Sequence, residues 1–133
     1  MIENTSIDIF RYEVPEGVSE YHAMLRITNH RLTFKEQVDC LMEAYDQLMQ
    51  GEMKGAVAVF KRFFVSDAAN QANYLQALHA ERSDCALSII EQPPLDGTKI
   101  ALWVYIQRGV QTKALANGIY EVKHGAYRHL WMA

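Results

Sequence analysis

The sequence predicts an α+β domain, a mixed β-sheet with two helices packed on one face, and three observations carry that prediction. Side chains alternate between apolar and polar near the N-terminus. One segment, 34–50, has a single apolar stripe at helical spacing. An apolar run rich in Val and Phe, 56–65, stands between that helix and a second helical segment. A strand joined to its neighbours by helical crossovers makes part of the sheet parallel, and helices with one apolar stripe each pack together on one sheet face.

The elements follow in chain order. Residues 6–12 put Ile7, Ile9 and Arg11 on one face and Asp8, Phe10 and Tyr12 on the other, the two-residue period of a strand. Val14-Pro15-Glu16-Gly17 ends it with turn chemistry, since proline fixes φ and glycine tolerates positive φ. A second strand over 20–28 sets Tyr21, Ala23, Leu25 and Ile27 against His22, Met24 and Arg26, and the two form a hairpin or an adjacent pair. The first helix covers 34–50, because Phe34, Val38, Leu41, Tyr45 and Leu48 fall on one stripe. Thr33 and Glu36 fit a capping box, and Gly51 sits where a left-handed C-cap is expected. Residues 56–65 read as a central strand covered on both faces, with Lys61 and Arg62 set into it. Ser66-Asp67 offers an N-cap for a helix over 68–80, whose narrower stripe is Ala68, Ala72, Leu75 and Leu78 or His79. Strands follow at 84–90 and 98–108, and Gln92-Pro93-Pro94-Leu95-Asp96-Gly97 suits a hairpin with a longer connection. Beyond Gly109 a small helix or loop precedes short strands at 118–124 and 126–132, around Gly125.

Composition narrows the function classes. The chain has 133 residues, half of them hydrophobic, and 13 Lys and Arg against 16 Asp and Glu give a net charge of −3. That describes one domain, which buries about two thirds of the surface its unfolded form exposes and needs neither disulfide nor metal. No basic stripe is present to displace counterions, so nucleic acid is not an expected partner. The apolar runs fall far short of the roughly 18–20 residues that span a bilayer, so no membrane is expected and the cytosol is the default location. Cys40 and Cys85 lack Cys-x-x-Cys spacing and read as small buried hydrophobes. The sequence contains no phosphate-binding glycine loop, nucleophile elbow or His-Glu-x-x-His motif. His22, His30, His79, His124 and His129 are scattered without ligand spacing, so neither metal nor cofactor is expected. Each reads as a surface or loop residue, with His22 and His129, which interrupt strands, the first candidates for a packed or functional role.

Two basic features stand out. Alternation puts Lys61 and Arg62 on opposite faces of their strand, so at least one must reach a partner, a solvent-filled cleft or, by snorkelling, the strand end. Arg82 lies at a helix–strand junction, where a guanidinium can grip a ligand carboxylate or complement the helix dipole. The sheet face away from the helices carries Phe60, Phe64 and Trp103 or their alternating neighbours, an apolar surface most simply buried by self-association.

The order of elements, with Phe34-Lys35-Glu36-Gln37-Val38, the run Ala58-Val59-Phe60-Lys61-Arg62-Phe63-Phe64-Val65-Ser66-Asp67, Glu81-Arg82-Ser83 and the Pro-Leu-Asp-Gly turn, resembles the YjgF/Rid family. These are the reactive intermediate deaminases, also catalogued as endoribonuclease L-PSP. The resemblance spans residues 33–107. It implies a chorismate-mutase-like fold assembled as a trimer around a central barrel, with ligand clefts between subunits. Active members hold the substrate carboxylate with an arginine in an Ala-Arg-Ser type motif and use an acidic residue on the last long strand to activate water. Glu81-Arg82-Ser83 matches the first, with about two extra residues before the proline turn; aligned on Cys85, Ser83 takes the arginine position. The second has no counterpart, because residues 100–107 contain no acid and Trp103 stands where one is expected.

The resemblance thus implies a divergent Rid-like domain over residues 1–124. It would bind a small carboxylate-containing metabolite through Arg82, Arg62 and Trp103, or serve as a structural module beside a catalytic domain. The alternative is an active imine or enamine hydrolase using Arg82. The expected assembly is a homotrimer or a pseudo-trimer with sister domains. Residues 125–133 resemble the opening strand of a following module.

Overall fold

The structure, a computed structural model, describes residues 4–13, 19–82, 85–94, 97–115, 119–124 and 127–131. Strands β1 (Thr5–Glu13) and β2 (Ser19–Ile27) pair antiparallel, from Thr5 opposite Ile27 to Glu13 opposite Ser19. The turn expected at residues 14–17 lies outside the described residues. Helix α1 (Phe34–Gln50) begins as its sequence requires: the Thr33 side chain accepts from the Glu36 amide and the Glu36 carboxylate accepts from the Thr33 amide, at 3.2 and 2.9 Å. Its stripe of Val38, Leu41, Tyr45 and Leu48 is buried against the sheet.

The C-terminus of α1 corrects one expectation. Gly51 is not left-handed, with φ −104° and ψ −101°; its amide continues the helical pattern to the Gln47 carbonyl. The positive φ comes at Gly55, +88°, where a Cβ would also crowd the Arg108 guanidinium. The chain leaves the helix through consecutive turns, in which the Leu48 carbonyl accepts from the Met53 amide, and takes positive φ at the second glycine.

Strand β3 (Val57–Val65), helix α2 (Ala68–Arg82) and strand β4 (Ala86–Glu91) form a parallel crossover, with Phe60 opposite Ala86 and Val65 opposite Glu91. Asp67 precedes α2, as expected of its cap. Its carboxylate takes the Asn70 side chain, while the Ala68 amide is satisfied by Glu91 from β4. Strand β5 (Ile100–Arg108) runs antiparallel to both β2 and β3, giving the order β1-β2-β5-β3-β4. The expected β4–β5 hairpin is therefore absent, since β3 lies between them. An interior strand as apolar as β3 gains more by pairing on both edges than a hairpin would, and the proline-rich connection passes over its end. Buried Gln37 fixes this corner by donating to the Leu32 carbonyl and accepting from the Lys99 amide, while Ser66 donates to the Lys99 carbonyl.

The loop or small helix expected after Gly109 contains a strand instead. β6 (Gln111–Ala114), β7 (Tyr120–His124) and β8 (Tyr127–Trp131) make a separate antiparallel meander. Four polar or small residues, Gln111 to Ala114, give no alternation from which to read a strand. Val122 and Trp131 of this meander pack on Phe60 and Tyr105, on the sheet face opposite the helices. The domain thus covers part of that face itself, where self-association was expected to do so. Gly125, Ala126, Met132 and Ala133 lie outside the described residues.

Lys61 and Arg62 do separate. A bulge between Ala58 and Phe60 sets the phase of β3, so that Lys61, Phe63 and Val65 face the helices and Phe60, Arg62 and Phe64 face away. Lys61 is fully buried, with Nζ 4.3 Å from the Tyr45 ring centroid. Removing the Thr33 hydroxyl tests the start of α1: Thr33→Ala is expected to lower the unfolding free energy by about 1 kcal/mol in urea melts, and Thr33→Ser to leave it within a few tenths. An unchanged midpoint in the alanine variant would contradict the capping account.

Candidate functional site

Strand register arranges the face opposite the helices into rows. Asp8, Met24, Trp103, Arg62 and Ser88 lie side by side across the five strands. On one side is the row Phe10, His22, Tyr105, Phe60 and Ala86, and on the other Ser6, Arg26, Ala101, Phe64 and Ile90. The meander covers the Phe60 and Tyr105 end. At the other end a groove of about 360 Å³ is floored by Met24, Ala101 and Phe64, walled by Arg26, and rimmed by Gln92, Pro93 and Pro94. Its size suits a small molecule.

Arg62 stands between the covered and open halves. Its guanidinium carbon lies 5.4 Å from the Phe60 ring centroid and 5.8 Å from that of Trp103. Its Nε is buried, and no hydrogen-bond partner meets it among the described residues. A buried donor without a partner costs about 1–3 kcal/mol, more when the group is charged. The same N–H presents an unused hydrogen bond to any acceptor that enters beside it.

The aromatic side of the site is a connected stack. The Trp103 and Tyr105 rings are within 5° of parallel, and the His22 ring lies 5.6 and 5.0 Å from their centroids. Tyr12 meets His22 edge-on at 5.6 Å. The Tyr105 hydroxyl accepts from Gln107 at 2.7 Å. Burial, with the Glu20 carboxylate hydrogen-bonded beside it, pushes the Tyr105 phenol up to about 12.

Two of the three expected site residues, Arg62 and Trp103, are thus direct cross-strand partners. Arg82 is the last residue of α2, and α2 packs against β4; Ser83, its motif neighbour, lies outside the described residues. Met24, Arg26 and the Pro93-Pro94 rim were not singled out from the sequence. The signal for the first two was the β2 alternation, which sets 22, 24 and 26 on the face away from the helices. Cys85 is buried, Cys40 is half-buried, and neither forms a disulfide among the described residues. No helix among the described residues is long and apolar enough to cross a membrane. No family model matches the chain, and no curated protein or solved structure matches it.

Tyr105 supplies a pH test. Between pH 10 and about 12 the unfolded chain loses this proton while the folded chain keeps it, so the stabilisation present below pH 10 fades across that window. Tyr105→Phe is expected to lose stability less steeply than wild type over the same range in urea melts. Equal slopes would contradict the assignment.

Proposed function

We propose that the chain is a divergent Rid-like domain with the chorismate-mutase-like arrangement its sequence resembles, and that it binds a small carboxylate-containing metabolite on the open half of its sheet. The observation that carries this reading is Arg62: a guanidinium walled by Phe60 and Trp103, with a buried, unpartnered Nε, beside a groove of small-molecule size. A carboxylate accepting from that N–H would make a charge-assisted hydrogen bond in surroundings that screen it poorly. Trp103 would flank the ligand. An imine or enamine hydrolase working through Arg82 is the less supported reading, because the described groove lining offers neither a carboxylate nor a nucleophile to activate water.

The remaining open surface supports assembly with like domains, as a homotrimer or a pseudo-trimer with sister modules. Phe10 and Tyr12 on β1 are more than half exposed on the face that the meander covers elsewhere.

Binding is measured by titrating benzoate into the Trp131→Phe variant, which leaves Trp103 as the only tryptophan reporter. A saturable fluorescence change is expected, with affinity reduced about tenfold or more by Arg62→Ala. No saturable change, or equal affinity in the alanine variant, would overturn the reading. Light scattering is expected to give three times the chain mass, and a monodisperse monomer would exclude the homotrimer.

A further inference from the structure

The cation that lines the groove itself is Arg26, and Arg62 stands beside it. Arg26 lies on β2, two strands from Arg62 and two residues further along the sheet, with Ala101 of β5 between them. Strand spacing and rise put the two backbone positions about 12 Å apart. Both arginines face away from the helices, the Arg62 guanidinium lying over Phe60 and Trp103, so a ligand held by both must span the floor between them. That floor is apolar: Ala101 and Phe64 continue the Arg26 row, and Met24 and Trp103 lie in the Arg62 row. Ala101 is the smallest side chain there, which leaves room above it.

Resting on the carboxylate reading above, we infer that the groove takes a dianion, a small dicarboxylate with an apolar or aromatic middle, whose two ends are held by Arg62 and Arg26. The charge pattern requires local recognition. The chain carries a net −3, so its long-range field disfavours an anion. Among the described residues neither arginine has an ion-pair partner. Of the carboxylates on this face, Asp8 is one strand beyond Met24 and diagonal to Arg26, and Glu20 lies at the far end, occupied with Tyr105. Glu91, at the end of β4, is engaged with the Ala68 amide. A second carboxylate on the ligand would therefore meet an exposed guanidinium held in place by a sheet. Arg62 supplies the buried, direction-setting contact, and Arg26 selects for the second charge.

The experiment compares acids that share a body and differ by one carboxylate. Terephthalate against benzoate, and adipate against hexanoate, are titrated calorimetrically into the whole chain at low salt. Each dicarboxylate is expected to bind about fivefold or more tighter than its partner, with the advantage shrinking as salt rises. Arg26→Ala should remove that advantage by weakening the dicarboxylates more than benzoate, and Asp8→Asn should enlarge it. Arg26 is exposed, so the variant keeps its fold, which a thermal melt checks. Equal affinities for both members of each pair, or an Arg26→Ala loss shared equally by benzoate, would overturn the dianion while leaving the Arg62 site standing. If no acid binds the wild-type chain, the Arg62 reading itself fails.

Discussion

Two interior strands, β3 and β5, are apolar on both faces, and the rest of the molecule answers that demand. Two helices can cover only one side of a five-stranded sheet, and they do, burying Leu25, Phe63, Leu102 and Val104 beneath the α1 stripe. The opposite side needs its own cover. The C-terminal meander lays Val122 and Trp131 on Phe60 and Tyr105, and stops there. What remains is a half-covered face, walled by the meander at one end and by the Gln92–Pro94 connection at the other. The groove lies at the open end, beside the Gln92–Pro94 connection.

Adjacent cations show how differently the two sides treat charge. Lys61 points under α1, and its ammonium rests on the Tyr45 ring, an interaction of about 2 kcal/mol when desolvated. Arg62, one residue on, faces the open side between Phe60 and Trp103 and keeps a donor unused. The bulge at Val59 decides which cation goes where, because shifting a strand by one residue exchanges its faces. With the phase reversed, the arginine would be buried under the helix and the lysine would face the open side.

Much of this was legible in the sequence because it rests on local rules. Thr33 and Glu36 announce the start of α1, the Leu41, Tyr45 and Leu48 spacing gives its buried face, and alternation alone splits Lys61 from Arg62. Where expectation failed, a nonlocal term had won. The connection at Pro93 and Pro94 looks like a hairpin turn, but pairing β3 on both edges separates β4 from β5. Gly51 carries the residue type of a left-handed cap, yet the turn is made at Gly55. The Gln111–Ala114 strand has no apolar pattern of its own and exists because β7 pairs with it. Of the site, Arg62 could be named from residue type, and Trp103 from its place in the resemblance. Their partnership with Met24, Arg26 and Ala101 could not, since it needs the strand order and register.

Anion binding on this face turns on one group, the buried Nε–H of Arg62. Its proton–nitrogen cross-peak, assigned by comparison with Arg62→Lys, can be followed while benzoate is added to the isotope-labelled chain. A saturating downfield proton shift, as a carboxylate accepts the hydrogen bond, is the predicted result. A cross-peak that stays in place while benzoate saturates signals elsewhere, or throughout a titration that perturbs nothing, would contradict the claim that this half-covered sheet face is an anion site.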